Sequence, residues 1–140
     1  MSAPPAPRVL IPAENVARRV AQVGQQIRAD YGDRTPGLVA NLKGAFIFLA
    51  DLCRAMGGPL SIDFMATASY AGSTKSSGAV RIVKDLKMDI EGRDILLVED
   101  IVDTGYTIRY LMEYLELRKP DSVKICTLLN KKEARKIEVP

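Results

Sequence analysis

The sequence predicts an α/β fold in which helices flank a mainly parallel, twisted sheet. Segments with helical spacing of apolar residues alternate with short apolar runs along the chain, which is the order expected of βαβ units. One of those runs, Ile95–Val98, has four apolar residues in unbroken sequence, which is typical of a strand covered on both faces. Glycine and proline punctuate the alternating segments, so the boundaries of the elements can also be predicted.

The first half of the chain contains two predicted helices and two predicted strands. Apolar residues repeat at helical spacing within Ile11–Tyr31, and Pro12 suits a first turn because a helix does not need its missing N–H there. A strand is predicted over Gly37–Leu42, a helix over Gly44–Met56 and a strand over Leu60–Ala68. The Gly-Gly-Pro sequence at positions 57–59 separates the last two elements.

The second half begins with a segment that has no periodicity. Ser69–Gly78 is small and polar, so we expect a mobile loop there. The pattern then predicts, in order, an edge strand over Ala79–Leu86, a buried strand over Asp94–Val98, a helix over Gly105–Lys119 and a second buried strand over Ser122–Leu129.

Composition limits the class of protein. With 140 residues, 47% of them hydrophobic and 26% charged, the chain suits one soluble domain over residues 1–140, with a loose arm over residues 1–10. Its apolar runs are far shorter than the ~20 residues that a membrane span needs. Cys53 and Cys126 lie in apolar segments without disulfide or metal spacing, which predicts buried free thiols in a reducing cytoplasm.

The sequence has no histidine. This excludes Ser-His-Asp and Cys-His catalysis and argues against a zinc site. Acid–base chemistry must then use carboxylates, lysine or tyrosine. The formal net charge of +3 is too small to indicate a nucleic-acid partner.

The segment Ile95–Thr107 (ILLVEDIVDTGYT) predicts the ligand site. A buried strand leads directly into Glu99 and Asp100, and a Gly-containing turn over positions 103–105 precedes the next helix. Open α/β sheets bind ligands at the carboxyl ends of their strands. A turn at a helix N-terminus offers backbone N–H groups and a positive dipole end, which together suit a phosphate, and the hydroxyls of Thr104 and Thr107 can add donors.

Three carboxylates within five residues would repel a bare phosphate. They suit a ribose 5-phosphate, whose hydroxyl groups can donate to Glu99 and Asp100 while Mg²⁺ bridges other oxygens and the phosphate rests on positions 103–107. The alternative is a solvated acidic loop in which Asp103 or Thr104 caps the helix. The segment is not a Walker loop, because Gly-x-x-x-x-Gly-Lys is absent.

Val98–Thr107 (VEDIVDTGYT) resembles the signature with which type I phosphoribosyltransferases bind phosphoribosyl pyrophosphate (PRPP). Asn41–Phe46 (NLKGAF) and Ser69-Tyr70 narrow the resemblance to the hypoxanthine-guanine branch, and Leu128–Arg135 (LLNKKEAR) is similar to that branch's segment after the next strand. These four motifs occur in the family's order, and the resemblance extends over nearly the whole chain. It implies the type I phosphoribosyltransferase fold, with a flexible loop over the site.

The resemblance implies a purine-salvage enzyme, a hypoxanthine phosphoribosyltransferase that uses Mg²⁺. Such an enzyme transfers the 5-phosphoribosyl group from PRPP to N9 of hypoxanthine or guanine and forms IMP or GMP plus pyrophosphate. The resemblance also implies a cytoplasmic homo-oligomer, a dimer or a tetramer, without a nucleic-acid or membrane partner.

The resemblance further implies roles for the residues that match the PRPP signature. Asp103 is expected to be the general base near N7 of the purine. Glu99 and Asp100 are expected to hold the ribose hydroxyls and Mg²⁺. The 5-phosphate is expected to bind to Asp103, Thr104, Gly105, Tyr106 and Thr107.

The other motifs carry the remaining implied roles. Pyrophosphate is expected at Leu42, Lys43 and Gly44, with a cis peptide bond between Leu42 and Lys43. Ser69 and Tyr70 are expected to belong to the loop that closes over the site, and Lys131 to contact the exocyclic oxygen of the purine. Without the resemblance, Lys43 is a surface lysine, and Lys131 belongs to a solvated basic cluster with Lys132, Arg135 and Lys136.

The sequence departs from the family at its end. Family members continue beyond the position of Pro140 with a strand, an aromatic residue that stacks on the purine and a further Asp, so we expect an incomplete base-binding hood and weak binding of free hypoxanthine. Two other classes stay open: a PRPP-sensing regulator that binds nucleic acid, and a phosphoribosyltransferase for another base such as xanthine. The presence of Asp103 and the ordinary net charge argue against the regulator. The matches at Leu42-Lys43-Gly44 and Lys131 argue against adenine and orotate as substrates.

Overall fold

The structure is a computed structural model and describes residues 8–69, 80–137 and 139. Its three helices are α1 (Ala13–Tyr31), α2 (Phe46–Met56) and α3 (Tyr106–Glu116). Its five strands are β1 (Gly37–Leu42), β2 (Ser61–Ser69), β3 (Val80–Lys84), β4 (Asp94–Val102) and β5 (Ser122–Asn130). A short 3₁₀ turn, Lys132–Ala134, follows β5.

The five strands form one sheet in the order β3-β2-β1-β4-β5. β1 pairs in parallel with β2 and with β4, and β4 pairs in parallel with β5. The edge strand β3 runs antiparallel to β2. The predicted α/β class and the mainly parallel sheet are therefore confirmed.

Helices cover both faces of the sheet. Even-numbered residues of the central strands pack against α1 and α2: Leu38, Ala40, Leu96 and Val98. Odd-numbered residues pack against α3: Val39, Ile95 and Leu97. Because successive side chains of a strand point to opposite faces, β1 and β4 are apolar on both sides, as the unbroken run in the sequence predicts.

Two strand predictions are wrong in extent or environment. β4 continues to Val102 instead of ending at Val98, because its parallel ladder with β5 continues past the acid pair, with Glu99 opposite Thr127. β5 is not buried along its length, since Cys126 is its one buried residue. The reason is that β5 is the last strand of the sheet and pairs on one side alone within the described chain.

The helix predictions are confirmed, with shifted ends. α1 begins at Ala13 with Pro12 as its N-cap, and α2 begins two residues later than predicted. α3 begins after Gly105 and ends at Glu116, three residues before the predicted end. Of the predicted loop Ser69–Gly78, Ser69 ends β2 and the rest lies outside the described residues.

Asp63 of β2 anchors the connection between β3 and β4. Its Oδ2 accepts hydrogen bonds from the backbone N–H groups of Lys87 and Met88, both at 2.8 Å, and its Oδ1 accepts one from Phe64 N–H at 2.8 Å. Burial acts to raise the pKa of the Asp63 carboxyl, but these three donors outweigh burial and hold the pKa below its usual value.

Both cysteines are free thiols, as predicted, although Cys53 is half-buried and Cys126 buried. Burial raises the pKa of the Cys126 thiol to about 11. None of the helices in the described part of the chain is long and apolar enough to cross a membrane.

Candidate active site

A cleft of about 280 Å³ lies where β1, β2 and β4 end. Five residues predicted for the ligand site line it together: Leu42, Glu99, Asp100, Asp103 and Thr107. The other lining residues are Asn41, Thr67, Ala68, Val80 and Ile101. Because parallel strands present their carboxyl ends at the same edge, residues that are up to 66 positions apart meet there.

A larger groove, of about 540 Å³, lies between α1 and α2. Its lining is mostly alanine and valine, and its charged residues, Asp51 and Arg54, form an ion pair with each other. The groove's single acidic group, Asp51, is thus paired, whereas the smaller cleft brings three carboxylates together and is the candidate site.

The acid pair approaches the cleft from the two faces of the sheet. Glu99 continues the odd-numbered row of β4 that packs against α3, and Asp100 continues the even-numbered row on the side of α1 and α2. Both side chains line the cleft, because β4 reaches this edge of the sheet. One strand therefore delivers two carboxylates to one cleft from opposite faces.

Glu99 is a buried acid, with 6% of its surface exposed. Burial raises the pKa of its carboxyl to about 8, with the charges of Asp100 and Asp103 adding to the rise and a hydrogen bond from Asn41 opposing it. A cation or a hydroxyl donor beside the carboxyl would favour its ionised form. The site thus holds an acid whose charge depends on what binds next to it.

Asp100 lies against the residues that follow β1. A Cβ atom at Gly44 would lie 2.8 Å from Cγ of Asp100, so this close approach requires glycine. The carboxylate Oδ1 of Asp100 also accepts a hydrogen bond from Ile101 N–H at 2.8 Å. The acid pair and the candidate pyrophosphate residues are therefore in contact.

The peptide bond between Leu42 and Lys43 is cis, the form that the resemblance implies. It lies at the end of β1, and Leu42 lines the cleft. Lys43 and Gly44 are exposed beside the cleft. The three candidate pyrophosphate residues thus border the acid pair.

The turn at residues 103–105 connects β4 to α3. Gly105 is the N-cap of α3 and has a φ of 96°, a left-handed conformation that favours glycine. The N-cap is therefore Gly105, and not Asp103 or Thr104. The first turn of α3 has no acidic residue of its own, and the carboxylate of Asp103 lies beside the turn that precedes the helix.

The exposed carboxylate of Asp103 is oriented by the backbone N–H of the next residue. Its Oδ1 accepts a hydrogen bond from Thr104 N–H at 2.7 Å. Thr104 Oγ1 in turn accepts one from Tyr106 N–H at 3.5 Å. Asp103 and Thr107 line the cleft. Thr104 lies in the turn, and Tyr106 is the first residue of α3.

The structure does not bring Lys131 into the lining of the cleft. The residue follows β5, its side chain is exposed, and its backbone N–H donates to the carbonyl of Val102 at 2.8 Å. Ser69 ends β2, but its side chain and the whole of Tyr70 lie outside the described residues.

Two polar residues of the cleft were missed by sequence reasoning. The amide Nδ2 of Asn41 donates to Glu99 Oε2 at 3.4 Å and to Thr67 Oγ1 at 3.3 Å, linking β4, β1 and β2. The available signal was a polar residue at the end of each apolar strand. The resemblance includes Asn41 in a motif but implies no role for it.

The fold and the site define a class of protein: an α/β protein with an acid-lined cleft and a Gly-containing turn at the carboxyl edge of its sheet. A family model described as the phosphoribosyl transferase domain matches residues 10–138. The chain therefore belongs to the phosphoribosyltransferase family, and within it to the hypoxanthine-guanine phosphoribosyltransferases.

The sequence relatives support that placement. The chain is 46% identical over 132 residues to a hypoxanthine-guanine phosphoribosyltransferase of Aquifex aeolicus, covering 94% of this chain and 74% of the relative. It is 47% identical over 133 residues to the enzyme of the same name from Mycobacterium avium, covering 91% of this chain and 66% of that one. The chain thus spans about two thirds to three quarters of the length of these relatives.

Solved structures agree with the sequence relatives. A hypoxanthine-guanine phosphoribosyltransferase from Bacillus anthracis superposes with a TM-score of 0.91 at 36% identity, covering 96% of this chain and 79% of that one. A hypoxanthine phosphoribosyltransferase from Staphylococcus aureus gives a TM-score of 0.89 at 40% identity, with coverage of 95% and 72%. The type I phosphoribosyltransferase fold is therefore confirmed, and the enzyme is favoured over a regulator.

Proposed function

We propose that this chain transfers the 5-phosphoribosyl group from PRPP to N9 of hypoxanthine or guanine, releasing pyrophosphate and forming IMP or GMP. The observation that carries the proposal is the convergence of Glu99, Asp100, Asp103 and Thr107 on one cleft. Relatives named hypoxanthine-guanine phosphoribosyltransferases supply the reaction class. The cleft joins a site for hydroxyl groups to a turn suited to a phosphate.

The 5-phosphate is proposed to bind at residues 103–107. The N-terminus of α3, which has no acidic residue in its first turn, favours an anion there. The hydroxyls of Thr104 and Thr107 add donors. The acidic groups Glu99 and Asp100 then face the ribose instead of the phosphate.

Mg²⁺ fits the donor set of this cleft. Glu99 and Asp100 offer carboxylate oxygens, which Mg²⁺ prefers, while the described residues contain no group of three acidic or cysteine side chains that could hold a metal ion unaided. Such a set suits a cation that takes its remaining ligands from PRPP and water. When bound, Mg²⁺ would supply positive charge that stabilises the leaving pyrophosphate.

The proposed chemistry assigns one task to each group. The bond between C1′ and the pyrophosphate oxygen breaks, N9 bonds to C1′, and Asp103 accepts the proton released from N7 of the purine. Glu99 and Asp100 face the positive charge that develops on the ribose ring. Lys43, beside Gly44 and the cis peptide bond, neutralises charge on the departing pyrophosphate.

Three further parts of the proposal rest on the resemblance of the sequence. Lys131 selects 6-oxopurines through the exocyclic oxygen, and the loop that begins at Ser69-Tyr70 closes over the cleft to exclude water. The enzyme is a cytoplasmic homo-oligomer.

A coupled assay for pyrophosphate release tests the function. The chain is incubated with PRPP, Mg²⁺ and, in separate reactions, hypoxanthine, guanine, xanthine and adenine. Release with hypoxanthine or guanine but not with adenine is the expected result. Release with none of the four bases would refute the proposed activity, and release with adenine would refute the proposed specificity.

A further inference from the structure

Residues 131–137 donate hydrogen bonds to three consecutive backbone carbonyls where β4 ends, those of Val102, Asp103 and Thr104. Lys131 N–H donates to Val102 O at 2.8 Å, and Lys136 N–H and Ile137 N–H donate to Thr104 O at 2.8 and 3.3 Å. The remaining carbonyl, of Asp103, accepts a bond at 3.0 Å from the side-chain Nε of Arg135. Among these four donors, Arg135 is the one that a substitution can remove.

Arg135 is itself fixed at two points. Its Nη2 donates to Oδ1 of Asn130, the last residue of β5, while its Nε donates to the turn. A Cβ atom at Gly105 would lie 3.1 Å from Cδ of Arg135, so the side chain packs directly on the turn. The guanidinium group therefore spans from the end of β5 to the backbone of Asp103.

One peptide plane connects this contact to the carboxylate of Asp103. The carbonyl of Asp103 and the N–H of Thr104 belong to the same planar unit, so fixing the direction of one fixes the other. That N–H donates to Asp103 Oδ1 at 2.7 Å. Rotation of the peptide plane would break both bonds and release the carboxylate from its orientation.

We propose that Arg135 is a positioning residue for Asp103: it holds the peptide between Asp103 and Thr104 so that Thr104 N–H orients the carboxylate toward the cleft. The proposal rests on the proposed function, in which Asp103 is the base. In this proposal Arg135 does not neutralise charge on the substrate, because its guanidinium group contacts the backbone of the turn. A charged donor in a hydrogen bond strengthens that bond relative to a neutral donor.

The test compares Arg135→Met with Lys136→Met, which removes the same charge from the neighbouring residue and keeps its backbone N–H bond. We expect Arg135→Met to lower kcat about tenfold, the change for losing one charge-assisted hydrogen bond, with KM for PRPP changed less than about twofold. Lys136→Met should leave both constants near their original values. In an Asp103→Asn background, Arg135→Met should cause little further loss, because the oriented base is already gone.

Amide hydrogen exchange gives a readout that does not depend on turnover. The amide of Thr104 should exchange at least about tenfold faster in Arg135→Met than in Lys136→Met. Equal exchange in the two variants, or an undiminished effect of Arg135→Met in the Asp103→Asn background, would overturn the role of Arg135 alone. Full turnover of Asp103→Asn would instead refute the base assignment in the proposed function. Asn130→Ala, which removes the second anchor of Arg135, should accelerate Thr104 exchange in the same direction and replaces Arg135→Met if that variant does not fold.

Discussion

Gly44 and Asp100 are in direct contact, although they are 56 positions apart in the sequence: a Cβ atom at Gly44 would lie 2.8 Å from Asp100 Cγ and 3.3 Å from its Oδ1. Gly44 follows the cis peptide bond at the end of β1, and Asp100 extends from β4, the strand beside it. The contact joins the candidate pyrophosphate residues to the acid pair. A substitution of Gly44 should therefore change the position of the Asp100 side chain, and a substitution of Asp100 should change the packing around Gly44.

Gly44→Ala is expected to displace the Asp100 carboxylate and weaken PRPP binding in the presence of Mg²⁺ by about tenfold. Gly44 does not have a positive φ, so alanine is compatible with the backbone and the effect comes from the contact. Isothermal titration calorimetry measures the affinity. In an Asp100→Ala background the same change should have less than about a twofold effect. Equal losses in both backgrounds would contradict the prediction.

Asp103→Asn keeps the shape of the side chain and removes the proton acceptor. We expect kcat to fall by about 10²–10⁴, the usual contribution of a general base, while the affinity for PRPP changes little. Steady-state kinetics and calorimetry separate the two effects. Asp33→Asn, a change of an exposed acid outside the cleft, is the control and should leave kcat unchanged. Near-full turnover of Asp103→Asn would rule out its role as the base.

Magnesium binding should depend on PRPP. The cleft offers carboxylates from Glu99 and Asp100, so Mg²⁺ should bind weakly to the free protein and well when the phosphate and hydroxyl oxygens of PRPP complete its ligands. Calorimetry of Mg²⁺ with and without PRPP measures this dependence. Tight Mg²⁺ binding to the free protein, or PRPP affinity unchanged by EDTA, would contradict the prediction.

Asp63 should make the fold sensitive to acid. The pKa of its carboxyl in the folded state lies below the unfolded value of about 3.8, so its ionised form stabilises the fold above that pH. This contribution is lost as the pH falls through the folded-state pKa. Asp63→Asn should lower the free energy of unfolding at pH 7 by about 1–3 kcal/mol, because the new amide N–H faces backbone donors.

Denaturant unfolding at pH 7 and pH 3 checks the prediction for Asp63. The difference in unfolding free energy between the unmodified chain and Asp63→Asn should shrink at the lower pH, because the carboxyl of the unfolded chain, with its ordinary pKa of about 3.8, is then largely protonated. Asp33→Asn is again the matched control. A difference of the same size at both pH values would show that the carboxylate charge does not contribute.

Local sequence patterns predict the elements but not the strand environments. The apolar run at Ile95–Val98 predicts a buried central strand, and that prediction is confirmed. The similar run in β5 predicts the same burial and is wrong, because exposure depends on position in the sheet, which no local pattern contains. The extent of β4 was underestimated because Glu99 and Asp100 interrupt the apolar run without ending the ladder.

The candidate site likewise has features that local sequence predicts and contacts that it does not. The acids and the Gly-containing turn are contiguous in sequence, so their convergence on one edge follows from the strand–turn–helix pattern. The contacts of Asn41 with Glu99 and of Gly44 with Asp100 join residues more than 50 positions apart. Such pairs are decided by strand order and register, so reasoning from a single sequence did not reach them.

The central position of β1 has a consequence for synthesis on the ribosome. β1 is the first strand to leave the exit tunnel and β2 can pair with it early, but its other neighbour, β4, begins only at Asp94. Until β4 emerges, one apolar edge of β1 has unpaired backbone groups, a template for pairing with other nascent chains. Truncated chains released from the ribosome after Ser69 and before Asp94 should therefore aggregate more than chains released after Asn130, in which β4 can fill that edge.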